Sequence, residues 1–301
     1  MKYKVYSDVG NFEVKTKCKD NYSVIRTLLT EGVEKMNPYA HVVEYNNSNY
    51  IVGDSNAVTI TDIKLSKMDE IHRLSLFTTI HQVVPDNAEV DLYIGMPIMS
   101  YYNDEHRNKY EDFMKVNKVD IKVGDIRKKF TISNVTALPE GIGYMFNNAT
   151  AKITGIIDIG HFTIDGGVFK DGMPILDSIF TNLNGANKLK LNLQEALNQK
   201  LIRNIPLYQI DEIIENGLYG ADHDRSVEII EEVFEDYLRM IIGEMINHGW
   251  EFDTIPIIFT GGGSIIMKNV INRIENFMVS ENPILDNVDG FEQLEVMADE
   301  N

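Results

Sequence analysis

The feature that most constrains this chain is a strand–turn–strand pattern that occurs twice. In each copy an apolar run leads to an aspartate, Asp8 or Asp158, which is followed by an aliphatic residue, a glycine, any residue and a phenylalanine. The apolar runs are short enough for buried strands, and alternation resumes after the glycine. Two copies that open the two halves of the chain predict a duplicated fold with a cleft between the halves.

The turn of this pattern suits phosphate chemistry. Glycine lets the main chain approach a ligand closely, and consecutive amide N–H groups in such a turn form a concave anion site. A carboxylate at the end of the preceding strand can hold Mg²⁺ through water, because that ion keeps several waters and takes few carboxylates. One copy alone would indicate an ordinary hairpin, whereas the repetition favours a phosphate site.

Charge and composition exclude several classes of function. The chain has 301 residues and a formal net charge of −18, so direct binding to a nucleic-acid backbone is not expected. Cys18 is the only cysteine, which permits no intrachain disulfide and fits a reducing, cytoplasmic compartment. Neither a signal-peptide core nor a membrane-spanning apolar run is visible, and the seven histidines lack the paired spacing of a zinc site.

The first half of the chain reads as strands with a few helices. Apolar residues at 71, 74, 77 and 80 predict an amphipathic helix over 69–84, which Pro85 ends. A second helix is predicted in the charged segment 103–117 and a third over about 140–150. The predicted strands are a hairpin over 41–54 and single strands over 90–97, 119–123 and 129–137.

Glu140 lies where the last of these strands gives way to a helix, in the sequence Leu138-Pro139-Glu140-Gly141. Proline at a first helical position and an acid in the first turn are ordinary helix-start chemistry. The functional alternative is that Glu140 faces the cleft and orients a water that attacks a terminal phosphate. The residues themselves leave both interpretations open.

The second half contains a helical insert over 187–249 and a glycine-rich loop. The clearest helix of the insert runs from about residue 224 to 248, with apolar residues on one face. A strand over 255–260 then precedes three glycines and Ser264, which predict a loop followed by a helix over about 265–278 with Ser264 as its N-cap. Bare glycine backbone beside a helix N-terminus is suited to a nucleoside, although a plain flexible turn explains the glycines as well. A short helix is predicted near the end, at 289–298.

With these elements in order, the sequence resembles the actin-like ATPase superfamily, and within it the ParM-type plasmid-segregation actins. The stretch Asp8-Val9-Gly10-Asn11-Phe12-Glu13-Val14-Lys15 is similar to their first phosphate loop. The less generic segment Gly95-Met96-Pro97-Ile98-Met99-Ser100-Tyr101-Tyr102 resembles their Leu-Pro-Leu-x-x-Tyr-Tyr segment. Glu140 matches the position of the family's water-positioning acid. His161 and Phe162 depart from the family, which usually has Gly and Thr there, and His161 places a bulky, titratable side chain in the second loop.

The resemblance implies an α/β, actin-like (ribonuclease H-like, duplicated) two-domain fold with a nucleotide cleft between the domains. Domain I is expected to comprise 1–150 with about 279–301, and domain II to comprise 151–278. Asp8 and Asp158 would bind Mg²⁺, Lys15 would give positive charge to the phosphates, and Asp165 would assist the metal or only finish the hairpin. The phosphate-lining residues would be Gly10, Asn11, Phe12, Gly160, His161, Phe162 and Thr163, and the nucleoside-binding residues Gly261, Gly262, Gly263 and Ser264.

The function implied by the resemblance is hydrolysis of ATP, or of GTP, coupled to filament assembly. Subunits would associate head to tail, and hydrolysis would weaken their contacts because the lost phosphate no longer bridges the two domains. Such filaments separate replicon copies through an adaptor protein bound to a centromere-like DNA site. Two alternatives on the same fold stay open, namely a small-molecule kinase and a non-polymerising scaffold ATPase.

Overall fold

The computed structural model describes residues 1–35, 37–53, 67–141 and 151–299. The chain divides into two compact units, Met1–Asn147 together with Asn287–Asn301, and Asn148–Asp286. Each unit combines one β-sheet with helices, which confirms the α/β class. No helix within the described ranges is long and apolar enough to cross a membrane.

The first unit is built on a nine-stranded sheet with the strand order β3-β2-β1-β7-β9-β8-β5-β6-β4. Its strands are β1 Lys2–Val9, β2 Glu13–Cys18, β3 Asn21–Arg26, β4 Leu29–Glu31, β5 His41–Tyr45, β6 Ser48–Val52, β7 Ala88–Met96, β8 Val116–Val123 and β9 Ile126–Pro139. β1 pairs antiparallel with β2 on one side and parallel with β7 on the other. This arrangement brings the turn after β1 and the carboxyl ends of β1, β7 and β9 to one edge of the sheet.

Four helices of this unit lie within the described ranges: α1 Glu70–Val83, α2 Ile98–Tyr101, α3 Asp104–Met114 and α9 Asp286–Asp299. Asp69 caps α1 by accepting from the backbone N–H of His72 at 3.0 Å. Ten of the fourteen residues of α1 are buried, so the helix is enclosed by protein and is not the amphipathic helix that the sequence predicted. The helix predicted over 140–150 lies outside the described residues, apart from Glu140 and Gly141, which form a turn.

The second unit repeats the central arrangement of the first. Its main strands are β10 Ile153–Ile159, β11 Ile164–Lys170, β12 Met173–Pro174, β13 Phe180–Asn182, β14 Ile257–Thr260 and β15 Phe277–Val279, in the order β12-β11-β10-β14-β15, with β13 against β11. β10 forms an antiparallel hairpin with β11 and pairs parallel with β14, as β1 does with β2 and β7. The duplication that the repeated sequence pattern predicted is therefore present in the strand topology.

The helical insert consists of α4 Ala186–Leu201, α5 Ile210–Asn216 and α6 His223–Asn247. Leucines at 189, 193 and 197 of α4 and apolar residues along one face of α6 pack into the core of this unit, which explains the helical spacing seen in the sequence.

The segment after β14 differs from its prediction. It forms two short helices, α7 Gly261–Ile266 and α8 Lys268–Ile271, and then β15, where a single helix was expected over 265–278. The Thr260 hydroxyl accepts from the N–H of Gly261 at 2.6 Å and caps α7, whereas Ser264 lies inside the helix and donates to the Gly261 carbonyl at 2.8 Å. The predicted N-cap role of Ser264 was therefore wrong, because the glycines are the first turn of the helix.

Candidate functional site

The loop between β1 and β2 is held by Thr27 at the end of β3. The backbone N–H of Thr27 donates to the Phe12 carbonyl at 2.8 Å, and its hydroxyl donates to the Gly10 carbonyl at 2.7 Å. A Cβ atom on Gly10 would lie 2.8 Å from the Glu13 carbonyl oxygen, so the turn needs glycine there. In a planar trans peptide the N–H points opposite to the preceding C=O. The N–H groups of Asn11 and Glu13 are therefore directed away from Thr27.

In the loop between β10 and β11, three carbonyls are held by hydrogen bonds in the same way. The first amides of α4, from Gly185, Ala186 and Asn187, donate to the carbonyls of residues 162, 160 and 161 at 3.1, 2.8 and 2.9 Å. The three N–H groups that follow these carbonyls, on residues 161, 162 and 163, therefore point away from α4 as one set. Successive N–H groups aligned in this way form an anion site.

Gly185 makes this second loop possible. A Cβ atom there would lie 2.5 Å from the Phe162 carbonyl carbon and 2.7 Å from the Gly160 carbonyl oxygen, so only glycine lets α4 approach so closely. His161, where the family usually has glycine, is not among the described non-glycine residues with positive φ. A bulky residue therefore fits this backbone, and its ring packs edge-on against Phe162 with centroids 4.5 Å apart.

The two aspartates that precede the loops have different partners across the hairpin. Asp8 lies opposite Lys15, whose Nζ is 3.7 Å from Asp8 Oδ2, and both side chains are largely buried. Asp158 lies opposite a second carboxylate, Asp165. Asp165 accepts from the Thr163 hydroxyl at 2.8 Å and from the Thr181 hydroxyl at 2.6 Å. The hydroxyl of Thr163 is thus engaged by the protein, whereas its backbone N–H belongs to the aligned set that points away from α4.

Glu140 follows directly on β9 and is fixed at both ends. Its N–H donates to the Met96 carbonyl at 2.8 Å, and its Oε1 accepts from Nζ of Lys67 at 2.7 Å. The bare Cα of Gly95 makes room for it, since a Cβ there would lie 3.3 Å from Glu140 Cγ. Next to it, Asn287 at the start of α9 accepts from the Gly141 N–H at 3.0 Å and donates to Asp8 Oδ2 at 3.4 Å. Asn287 therefore ties Asp8 to the Glu140 segment.

Tyr110 on α3 lies close to the same two acids. Its side chain is buried, and its hydroxyl has no hydrogen-bond partner within the described part of the chain. Burial, together with the negative charges of Glu140 and Asp8, raises the pKa of Tyr110 well above its usual value. Tyr110 therefore stays a neutral hydroxyl, able to donate a hydrogen bond to an anion or to water in this region.

A buried histidine connects α1 with the first loop. Nδ1 of His72 is 2.8 Å from Asp69 Oδ1, and Nε2 of His72 is 3.1 Å from Asn11 Oδ1. The imidazole is fully buried, so its position is fixed by these two partners. His72 thus orients the side-chain amide of Asn11 within the loop.

The glycines after β14 serve two purposes. A Cβ atom on Gly261, whose φ is +74°, would lie 2.2 Å from Asp158 Oδ1, and one on Gly263 would lie 2.2 Å from Ile159 Cγ2. These two glycines are required for α7 to pack against the end of β10. A Cβ on Gly262 would meet nothing within 4 Å. Of the three glycines predicted to cradle a nucleoside, Gly262 is therefore the one whose bare backbone faces open space.

A cavity of about 250 Å³ opens beside this segment within the second unit. Ile266, the last residue of α7, belongs to its wall, together with Asn269 and Arg273 from the following turns and Phe234 from α6. It mixes apolar walls with a few polar groups, as small-molecule sites do.

The predicted metal ligands fit a water-mediated ion rather than a protein cage. No group of three or more His, Cys, Asp or Glu side chains that could hold a metal occurs among the described residues. Mg²⁺ needs no such cage, because it is usually bound by one or two carboxylates, waters and substrate phosphates. Asp8 and Asp158, each at the end of a strand beside an amide-lined loop, supply that donor chemistry.

Several residues of the site were missed by the sequence analysis. The His72 pair had a local signal, because Asp69 three residues before it is a typical N-cap pattern. Gly185 lies at the N-cap position of α4, where a glycine is a weaker signal of a helix start than an aspartate. The other missed residues, which have no local signature, are Thr27, Lys67, Tyr110 and Asn287.

Comparison with known proteins identifies the fold. Residues 7–143 match the family described as "Actin like proteins N terminal domain". No curated protein matches the chain in sequence. Among solved structures, a 15-stranded ParM filament from Clostridium botulinum is similar, with 18% identity, a TM-score of 0.75, and coverage of 98% of this chain and 99% of the other.

Two further structures cover the chain to the same extent. Bacillus thuringiensis ParM with ATP is 15% identical with a TM-score of 0.71, over 99% of both chains. The archaeal actin homologue Ta0583 in complex with ADP is 16% identical with a TM-score of 0.76, over 98% of this chain and 99% of the other. The resemblance to ParM-type actins predicted from the sequence is thereby confirmed in the fold, and the chain has the actin-like architecture that these proteins share.

Proposed function

We propose that this chain binds and hydrolyses a nucleoside triphosphate, ATP or GTP, together with Mg²⁺. The proposal rests on two loops, each of which follows a strand that carries an aspartate. Carbonyls of each loop accept hydrogen bonds from the supporting segment, so the backbone N–H groups that follow them point away from that segment. Backbone N–H groups in this arrangement bind phosphate oxygens. Two proteins of the same fold are described with ATP and with ADP, which supports the choice of ligand.

The charged side chains of each loop have distinct tasks in this proposal. Asp8 and Asp158 would hold Mg²⁺ through its waters, and the ion would neutralise phosphate charge when it is bound. Lys15 exchanges its contact with Asp8 for a phosphate oxygen. Glu140 accepts a hydrogen bond from the attacking water and aligns it with the terminal phosphorus. The buried Tyr110 hydroxyl, which has no hydrogen-bond partner among the described residues, would be a further donor to the same water or to the phosphate.

We further propose that the nucleotide-bound subunits polymerise head to tail and that hydrolysis weakens the filament. The similarity in fold to a ParM filament supports this part of the proposal. The filament would move plasmid or other replicon DNA in the cytoplasm through an adaptor protein bound to a centromere-like site. An adaptor is needed because a net charge of −18 opposes direct contact with DNA.

Light scattering and phosphate release, recorded together on the purified chain, test this function. With Mg²⁺ and ATP or GTP, we expect scattering to rise and then to decay as phosphate appears. Phosphate transfer to a small metabolite without scattering would identify a kinase instead, and turnover without scattering would identify a non-polymerising ATPase. A Glu140→Gln variant should assemble normally and release phosphate at least about 100-fold more slowly. Unchanged turnover in this variant would remove Glu140 from the mechanism.

A further inference from the structure

We infer that Lys67 is a ligand of the terminal phosphate, and that the same lysine occupies the water-positioning acid while that phosphate is absent. The inference rests on the proposed function and adds a regulatory contact to it. Its starting point is the ion pair between Lys67 Nζ and Glu140 Oε1, 2.7 Å apart. This pair takes up a carboxylate oxygen of the residue proposed to orient the attacking water.

Both side chains of this ion pair are largely buried. The Lys67 side chain is 7% exposed and that of Glu140 is 17% exposed, so water screens their attraction only weakly. Lys67 also has φ +48°, a left-handed conformation that lysine adopts at a cost of about 1 kcal/mol. A cation kept in a strained and buried position indicates that its charge, and not its backbone, is what the site requires.

Hydrogen bonds connect this pair with Asp8, the acid before the first loop. Asn287 connects Asp8 with Gly141, the residue next to Glu140. The negative charges of Asp8 and Glu140 both contribute to the raised pKa of Tyr110. Asp8 forms a second lysine–carboxylate pair, with Lys15. Each lysine neutralises an acid that the proposed chemistry needs for another task.

Partner exchange resolves this conflict. A terminal phosphate brought near Glu140 would be repelled by the carboxylate unless a cation lay between them. Lys67 is bound to that carboxylate already, and a shift of its flexible side chain toward the phosphate would free Glu140 Oε1 to accept from water. A bound triphosphate would thus free Glu140 to orient the attacking water. A diphosphate, which lacks the terminal group, would leave the ion pair between Lys67 and Glu140 intact.

The test compares affinity for a non-hydrolysable triphosphate analogue with affinity for the diphosphate, by calorimetry on the full chain. Replacing Lys67 with methionine (Lys67→Met) should lower triphosphate affinity by about 10- to 100-fold and leave diphosphate affinity within about twofold. Lys67→Arg, which keeps the charge, should recover most of the lost preference. Should Lys67→Met fail to fold, Lys67→Gln keeps a hydrogen-bond donor for Glu140 and should lose the same preference.

Lys128 provides the matched control. It is a partly buried lysine of the same unit whose ammonium donates to the carbonyls of His81 and Val84 at 2.6 and 2.7 Å and to no proposed site group. Lys128→Met should reduce stability without changing the ratio of the two affinities. Equal losses of both affinities in Lys67→Met, or slower turnover with an unchanged ratio, would overturn the inference. A wild-type chain that bound neither nucleotide would instead contradict the proposed function, and the role of Lys67 with it.

Discussion

The two hairpins of this molecule share one backbone plan and differ in the charge that faces the aspartate. In the first, Lys15 lies across from Asp8, and in the second, Asp165 lies across from Asp158. Residues directly opposite in an antiparallel pair point to the same face, where like charges repel each other. The first hairpin therefore carries its own counter-charge, whereas the second presents two acids and depends on hydroxyl donors or on a cation.

Their supports differ as well. The first loop is held by one threonine from a neighbouring strand, and the second by three amides at the start of a helix. The helical support holds the carbonyls of residues 160, 161 and 162 in the second loop, whereas in the first loop the Asn11 side chain is oriented by His72. The two hairpins thus share a set of amides directed away from their supports, while their charges and their supports differ.

Exchanging the cross-strand charges should have the largest effect on this difference. Lys15→Asp would give the first hairpin two opposed acids, and we expect affinity for the Mg²⁺–triphosphate to fall by about 100-fold, or about 2.7 kcal/mol. Asp165→Lys would give the second hairpin its own counter-charge and should make binding less dependent on Mg²⁺ concentration. Calorimetry across a magnesium series measures both, and identical responses of the two variants would show that the hairpins are equivalent.

A smaller effect is expected from the support of the second loop. Gly185→Ala places a methyl group 2.5 Å from the Phe162 backbone and should lower the free energy of unfolding by about 1–3 kcal/mol while weakening nucleotide binding. Gly243→Ala is the matched control, because nothing lies within 4 Å of its Cβ position in α6. That change should stabilise the chain by about 0.5–1 kcal/mol. Chemical denaturation measures both variants, and similar losses would mean that the contact at Gly185 is not what matters.

The side-chain support of the first loop should matter less again. His72→Phe keeps the buried volume and removes the contact with Asn11, so triphosphate affinity should fall by about tenfold. Binding of the bare nucleoside should not change, because it lacks phosphates. His81 lies on the same helix and binds the Ile126 carbonyl, so His81→Gln is expected to leave both affinities intact. A loss of nucleoside binding in His72→Phe would indicate general damage to the unit.

The smallest effect is expected at Thr27. Thr27→Val removes the hydroxyl that donates to the Gly10 carbonyl and retains the backbone bond to Phe12, at a cost of about 1 kcal/mol. Thr27→Ser should restore the bond and the affinity. If valine and serine behaved alike in a thermal shift assay with nucleotide, the hydroxyl would have no part in holding the loop.

The parts of the fold that the sequence predicted are those written in short, periodic stretches. The repeated aspartate–glycine pattern predicted both hairpins, and apolar spacing predicted the positions of α1 and α6. Contacts between distant residues left no such trace, as Thr27 with Gly10 and Asn287 with Asp8 illustrate. The helix start at Gly261 was misjudged because Thr260 caps it and because Gly261 and Gly263 are needed for packing against β10.

The last helix of the chain completes the first unit, and this has a consequence for synthesis. Val288 and Phe291 of α9 cover Tyr6, with Tyr93 and Leu138 packed alongside. The whole second unit is translated between the early strands and this helix, a delay on the order of 10 s at ordinary elongation rates. During that interval the apolar face around Tyr6 stays uncovered in the nascent protein, and Asp8 lacks its hydrogen bond from the Asn287 side-chain amide. Ribosomes stalled shortly before Asn287 should therefore hold a first unit that chaperones recognise as unfinished.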